Sequence, residues 1–349
     1  MALLLNIGDT VQRSYSYTKP SPTHISQPQE CGDRTGNLFD DNNAEYGKWV
    51  NSDGTLATYS TYAAGYDIKV GTASEFAIKH YGDKPYSYSM AFYDSNGDFL
   101  SRVHRSSPSN SYDTFPVPEN AISARFQVAV SPGVVMTSAI LKAMKLMLNT
   151  GSTALPYEPY GYKIPITLAG QTQTVYLNEP LRKIGDYADK IEASGTTGTV
   201  TRRIKERVLT GQENLYINDG VSTEDTAYFY TTAITQNTYV EGHAVCTHFE
   251  YKDVYRVQTE NGFHLLAGYG GLRFRLIRSI AGTVNAFKQW LADEYSNGTP
   301  VTVWYVLANP VTEQTTVPTL TPTKGSNTLT VGTTLQPSEV SITGGIRQQ

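Results

Sequence analysis

Residues 147–165 read MLNTGSTALPYEPYGYKIP. The stretch repeats with neither a helical nor a strand period. Pro156, Pro159 and Pro165 each fix φ and remove a backbone donor, so it is no helix and a poor central strand. Gly151 and Gly161 leave the backbone beside them free. Tyr157, Tyr160 and Tyr162 stand between these breakers, with Glu158 among them. The segment reads as an extended strap that leaves one domain, lies on its neighbour and enters the next. The chain on each side is therefore expected to form a separate β domain.

Upstream, Tyr86, Tyr88, Met90 and Phe92 alternate with Ser87, Ser89 and Ala91. Period two predicts a strand with one buried face. Asp94-Ser95-Asn96-Gly97-Asp98 follows as a turn in which Asn-Gly supplies positive φ, and residues 99–103 return as the partner strand. Residues 66–70, YDIKV, form a short strand closed by Gly71, and Phe76 and Ile78 alternate with Ala77 and Lys79. Ile122, Ala124, Phe126, Val128 and Val130 alternate with Ser123, Arg125, Gln127 and Ala129. Short strands and turns at these intervals predict an antiparallel sandwich over residues 36–162.

Downstream, residues 163–205 read as a connector ending in a hairpin. Its first arm is acidic (Asp186, Asp189, Glu192) and its second basic (Arg202, Arg203, Lys205, Arg207). Opposite charges facing across the hairpin contribute roughly 0.2–1 kcal/mol per pair, which explains the basic run better than a phosphate-binding patch does. Residues 206–317 read as the second β domain. There Leu272, Phe274 and Leu276 alternate with Arg273 and Arg275, and Val301, Val303, Tyr305 and Leu307 with Thr302, Trp304 and Val306. One helix is predicted between them: Thr283 caps it, Val284, Phe287, Leu291 and Tyr295 share a face, and Asn297-Gly298 ends it. Residues 1–35 form a leader with Pro-rich linker chemistry, and residues 318–349 a Thr/Pro/Ser-rich β extension. The expected fold class is mainly β: two jelly-roll-like β-sandwich domains joined by a strap and a β-hairpin, with one helix in the second.

Charged residues are 17 % of the chain, below the usual quarter, and the net charge is -4. That balance lacks the basic footprint of a nucleic-acid binder. No run approaches the ~20 apolar residues of a spanning helix, so no membrane insertion is expected. The start, MALLL, is too short and lacks the basic flank of a signal peptide, so release by assembly or lysis is expected. Two cysteines, Cys31 and Cys246, make neither a disulfide framework nor a zinc site. Tyrosine is the outlier, at 25 against 11 phenylalanines and 3 tryptophans. It suits wet interfaces and sugar rings, and it equally suits half-exposed β faces.

No catalytic motif is present. Gly268-Tyr269-Gly270-Gly271 opens no helix and so forms no phosphate cradle. Asp94, Asn96 and Asp98 place oxygens at alternate positions, as in a calcium loop; the other reading is a plain hairpin turn. Calcium is the one cofactor this leaves open. On a strand His243 and His248 face opposite sides, so with Cys246 they are too few for a metal site. Sugar recognition needs aromatic faces beside polar donors and acceptors. The best candidates are Tyr46, Trp49, Tyr59 and Tyr62, with Tyr66, Asn51 and Asp53 nearby, and Arg102 and His104 after the turn. The other reading is ordinary loop and core aromatics.

Residues 37–40 (NLFD), the strap's MLN and YEPY, Asp186-Tyr187-Ala188-Asp189 and residues 200–204 (VTRRI) occur in that order. As an ordered set they resemble structural tail proteins of bacteriophages, above all the fibre, baseplate and receptor-binding proteins of long-tailed phages of Gram-positive bacteria. The resemblance implies a first domain of the galactose-binding jelly-roll type common in carbohydrate-binding modules. It implies a leader that docks on the virion, a homotrimer, other tail proteins as partners, and a host-surface glycan bound without catalysis. It places the protein on the virion, assembled in the host cytoplasm. A purely structural virion part and a glycan-cleaving tail enzyme are the alternatives.

Overall fold

A computed structural model describes residues 27–168, 171–194, 196–235, 238–266, 271–318, 329–331 and 342–343. Most of the expected leader, the Gly-rich turn at 268–270 and most of the C-terminal extension lie outside the described residues. The chain is mainly β and divides into two compact units: Asp33–Lys163, and Met1–Gly32 with Ile164–Gln349.

The first unit is a sandwich. Its strands are β1 (Glu45–Val50), β2 (Leu56–Lys69), β3 (Glu75–His80), β4 (Ser87–Tyr93), β5 (Phe99–Arg105), β6 (Asp113–Pro116), β7 (Ser123–Ala129) and, after the short helix α1 (Ser138–Ala143), β8 (Leu146–Thr150). One sheet runs β1-β2-β7-β4-β5 and the other β8-β3-β6, all pairs antiparallel. Phe76, Ile78, Phe115, Leu146 and Leu148 of the smaller sheet meet Tyr88, Met90, Phe92, Phe126 and Val128 of the larger in one core. The alternation that predicts β4 and β7 is thus what builds the sandwich interior. Two details differ from the sequence reading. Every residue of β4 is buried, not one face only, because the outer face of its sheet is covered as well. And α1, capped by Thr137 Oγ1 accepting from the Ile140 N–H, is too short to show a helical period.

The turn between β4 and β5 forms as expected. Asp94 Oδ1 accepts from the Asn96 and Asp98 N–H groups at 2.8 and 2.9 Å, and Gly97 carries the positive φ, +83°.

The strap folds back on its own unit. Buried Asn37 uses its whole amide for this: Nδ2 donates to Leu146 O (2.7 Å) and Glu158 O (3.0 Å), while Oδ1 accepts from the Phe39 and Leu148 N–H groups, both at 3.1 Å. Glu158 accepts from the Gly36 N–H and pairs with Lys163 at 2.9 Å. The Arg34 guanidinium lies 4.6 Å from the Tyr160 ring centre and 5.3 Å from that of Tyr162. NLFD and the strap are therefore two halves of one clasp. The expectation that the strap lies on a neighbouring domain is replaced by these contacts with Arg34, Gly36 and Asn37.

The second unit has β9 (Lys190–Ser194), β10 (Thr197–Leu209), β11 (Leu215–Ile217), β12 (Thr226–Thr231), β13 (Tyr239–Cys246), β14 (Gly262–Leu265), β15 (Leu272–Ile277), α2 (Val284–Ser296) and β16 (Val301–Thr316). One sheet runs β13-β16-β10-β9, with Ile342–Thr343 parallel to β9; the other runs β11-β12-β15-β14. Both share a core with Phe287 and Leu291 of α2. Thr283 caps α2 as expected, its Oγ1 accepting from the Ala286 N–H. Tyr295, expected on the apolar face, is 38 % exposed, since the last turn runs past the core.

Residues 163–205 are no separate connector. β10 pairs along its length with β16, from Thr197↔Thr316 to Leu209↔Val301, which fuses the hairpin to the second unit's sheet. The described end of the leader is also strand: Gln29–Cys31 pairs with Leu181–Ile184. The cross-hairpin charge pattern fails in register, because Glu192 faces Thr199 and Lys190 faces Thr201. Among the described residues one acid–base contact survives. Fully buried Asp189 accepts from Arg202 Nη1 (3.3 Å) and from the Arg182, Arg203 and Ile204 N–H groups, and Arg202 also meets Glu313 at 2.7 Å.

Candidate functional site

In the first unit β1 and β5 lie at opposite edges of the five-stranded sheet. Nevertheless Arg102 Nη1 on β5 donates to Val50 O on β1 at 2.8 Å. The sheet curls until its edges meet over its outer face. Register places His104, Ser89, Gln127 and Ala64 in one row on that face, and Arg102, Ala91 and Arg125 in the next. The covering residues are aromatic and basic. Trp49 packs on Tyr62 at 4.1 Å, carries the Arg102 guanidinium at 4.7 Å and meets the His104 ring edge-on at 5.9 Å. Tyr59 meets Tyr62 at 5.8 Å.

The structure thus gathers Trp49, Tyr59, Tyr62, Arg102 and His104 and leaves Tyr46 out. A bulge at Gly47 (φ +73°) separates Tyr46 from Trp49 and sets it opposite Ala63, on the core side of the sheet. Trp49 is only 7 % exposed, so it serves as a base and not as an open stacking platform. The accessible rings are Tyr59, 52 % exposed, and Tyr86, 51 % exposed. The Tyr86 N–H donates to Ala129 O, and Ala129 pairs with Tyr62, so Tyr86 stands beside Tyr62. Tyr59, Tyr62 and Tyr86 make a tyrosine band. Sequence reasoning missed Tyr86 because its alternation with Tyr88 reads as one buried face; it precedes the strand and turns outward. Burial, then the nearby Arg102 charge, pushes the His104 pKa down, and burial raises that of the Tyr62 hydroxyl. Asn51 and Asp53 are spent on their own turn, both bonding Thr55, and the Tyr66 side chain lies outside the described residues.

The other sites read from sequence are placed as follows. The Asp94 carboxylate is engaged by backbone N–H groups of its turn, and among the described residues no three His, Cys, Asp or Glu gather as a metal site. Cys246 is buried, its thiol pushed up to about 11 by burial; His248 Nε2 is 3.3 Å from Glu294, and the His243 ring packs on Tyr187. His80 Nδ1 lies 3.2 Å from the Tyr88 hydroxyl.

The second unit has a covered outer face too. On β11-β12-β15-β14 the apolar side, with Phe229, Phe263 and Phe274, packs on α2. The opposite side carries Tyr230, Arg273 and His264 in one row and Tyr228 and Arg275 in the next. Here a solvent-open cavity of about 790 Å³ lies between the sheet and its loops, and sequence reasoning did not foresee it. No protein-family model, no curated protein and no solved structure matches this chain.

Proposed function

We propose that the chain is a bacteriophage virion tail protein, a fibre, baseplate or receptor-binding subunit, that attaches to host-surface saccharide without catalysis. The observation that carries this reading is the tyrosine band of Tyr59, Tyr62 and Tyr86 over buried Trp49, with Arg102 and His104 beside it. A ring held on a packed base loses little freedom when a sugar face stacks on it. Phenolic hydroxyls and a guanidinium at its margin bond the sugar's hydroxyls. The ordered NLFD, strap and TRRI motifs support the tail-protein part. In a homotrimer three such bands convert weak single contacts into stable attachment. Other tail proteins are the remaining partners, and the virion is the place of action.

The test is binding of the intact oligomer to a glycan array and to host cell wall. Tyr59→Ala with Tyr86→Ala is expected to weaken binding about tenfold or more, since stacked aromatics contribute on the order of 1 kcal/mol each. Retention on virion proteins with no glycan or wall binding points instead to a purely structural part. Release of reducing ends from wall polymer points to a glycan-cleaving enzyme.

A further inference from the structure

We propose that the 790 Å³ cavity of the second unit is a second saccharide site, one that holds an uncharged sugar residue by hydrogen bonds beneath the Tyr255 ring.

The argument begins with a polar face that is not in solvent. The pattern Leu272-Arg273-Phe274-Arg275-Leu276 reads as a strand with its arginines outward. They do face away from the core, yet Arg275 is 0 % exposed, Arg273 7 %, His264 9 % and Tyr228 4 %. Covering such a face is costly unless its groups find partners.

The cover is built for the purpose. Arg275 donates through Nε to Val254 O (2.7 Å), through Nη1 to Thr226 Oγ1 (3.0 Å) and through Nη2 to Val221 O (3.1 Å). One buried cation thereby ties two loops to the sheet. Thr226 Oγ1 donates onward to Gln258 O, and Asp253 Oδ1 accepts from the Tyr255 and Arg256 N–H groups. Asn218 and Val221 of one loop, and Asp253, Tyr255 and Arg256 of the other, line the cavity. The walls therefore stand without a ligand. Their volume falls within the roughly 300–1,000 Å³ of small-molecule pockets.

One group in the cavity is left open. His264 Nδ1 is buried and has no hydrogen-bond partner among the described residues. Asp253 Oδ1 lies 3.9 Å from it, and Glu241 Oε1 lies 3.8 Å from Nε2, both beyond hydrogen-bond reach. A buried unpartnered imidazole nitrogen between two acids marks where a ligand hydroxyl would be held.

The charge balance fixes the ligand class. Asp253 and Arg256 pair with each other at 3.4 Å; beside them Arg273 only donates and Glu241, when ionised, only accepts. Adjacent hydroxyls, each able to donate and accept, satisfy both kinds at once, whereas a charged ligand meets an equal charge of its own sign. A quaternary ammonium is disfavoured further, because Tyr228 and Tyr230 already carry the guanidinium groups of Arg275 and Arg273 at 5.2 and 4.9 Å. The Tyr230 ring also stacks on Tyr216, which leaves exposed Tyr255 to cover the ligand.

The experiment titrates the full-length chain with glucose, galactose and N-acetylglucosamine, and with glucosamine and glucuronate as charged counterparts, read by NMR line-shape changes. At least one uncharged sugar is expected to saturate with a millimolar Kd. Glu241→Gln and Tyr255→Ala, at solvent-reachable positions, are each expected to weaken it about tenfold without unfolding the chain. Tyr59→Ala in the first unit is expected to leave it unchanged. No saturation by any uncharged sugar, preference for a charged one, or indifference to Glu241→Gln overturns the proposal. Loss on Tyr59→Ala alone would also overturn it while leaving the tyrosine-band reading intact.

Discussion

The two units solve the same problem in opposite ways. Each has a sheet with one face on a core and an outer face that is covered as well. In the first unit the sheet's own edges curl together, and Trp49, Tyr62 and Arg102 pack over the face. In the second, two loops tied by Arg275 roof the face and leave it hollow. A packed face offers chemistry only on its outside, where Tyr59 and Tyr86 are exposed. A hollow face offers chemistry inside, at the cost of a buried cation; each face also hides a polar side chain without a hydrogen-bond partner among the described residues, the Gln127 amide in the first unit and His264 Nδ1 in the second. Aromatic filling contributes burial energy directly; a roofed cavity needs a network to stay open.

Trp49→Ala is the largest test of this contrast. If Trp49 fills the first unit's outer face, removing it should cost about 3–5 kcal/mol, as large-to-small changes of buried tryptophan do. Native-state hydrogen exchange reads each unit separately, and the loss should appear in β2 and β7. A loss below about 1 kcal/mol would mean that the face is closed by something else. Arg275→Met comes next, at about 2–3 kcal/mol in β12 and β15. Two carbonyls and a hydroxyl lose their donor, each orphaned acceptor costing about 1–3 kcal/mol, offset in part because an arginine without an acid in hydrogen-bond contact is itself costly to bury. Arg102→Met, which gives up one hydrogen bond and a contact with Trp49, should cost about 1 kcal/mol. Equal costs for the two arginines would erase the distinction between packed and hollow.

What the sequence revealed, and what it concealed, follows the same line. Alternation located β4, β7 and β15, and the Thr283 cap with Phe287 and Leu291 located α2, because these signals are local. Whether an outer face meets water is not local. Arg275 reads as solvated since its acceptors, Val254 and Val221, lie 21 and 54 residues away in the chain. The one hint in the first unit was size: Ser87, Ser89 and Ala91 are small enough to lie beneath a cover. Residue types assembled Trp49, Tyr59, Tyr62, Arg102 and His104 into a candidate surface, but they could not reveal that the tryptophan is its base, nor that the bulge at Gly47 turns Tyr46 away. The strap was legible as extended. The surface under it was not, because Asn37 reaches it across 109 to 121 residues.

The smallest expected effect is of pH, and it separates the faces by replacement. Burial pushes the pKa of His104 down in the first unit, with Arg102 acting in the same direction. Burial likewise lowers that of His264 in the second, against the opposing pull of Asp253 and Glu241. Both rings therefore take up a proton at lower pH in the fold than in the unfolded chain, where histidine titrates near pH 6.5. Below about pH 6.5 the unfolded state therefore binds more protons, and each unit loses stability as the pH falls from there through its folded-state pKa; above that window the contribution is whole. Urea unfolding followed by tryptophan emission distinguishes them, since Trp49 reports on the first unit and Trp290 and Trp304 on the second. His264→Gln should flatten the acid-side decline seen by Trp290 and Trp304 and leave that seen by Trp49; His104→Gln should do the reverse. Should His264→Gln leave the second unit's decline unchanged, burial under the roof does not lower the pKa of its imidazole.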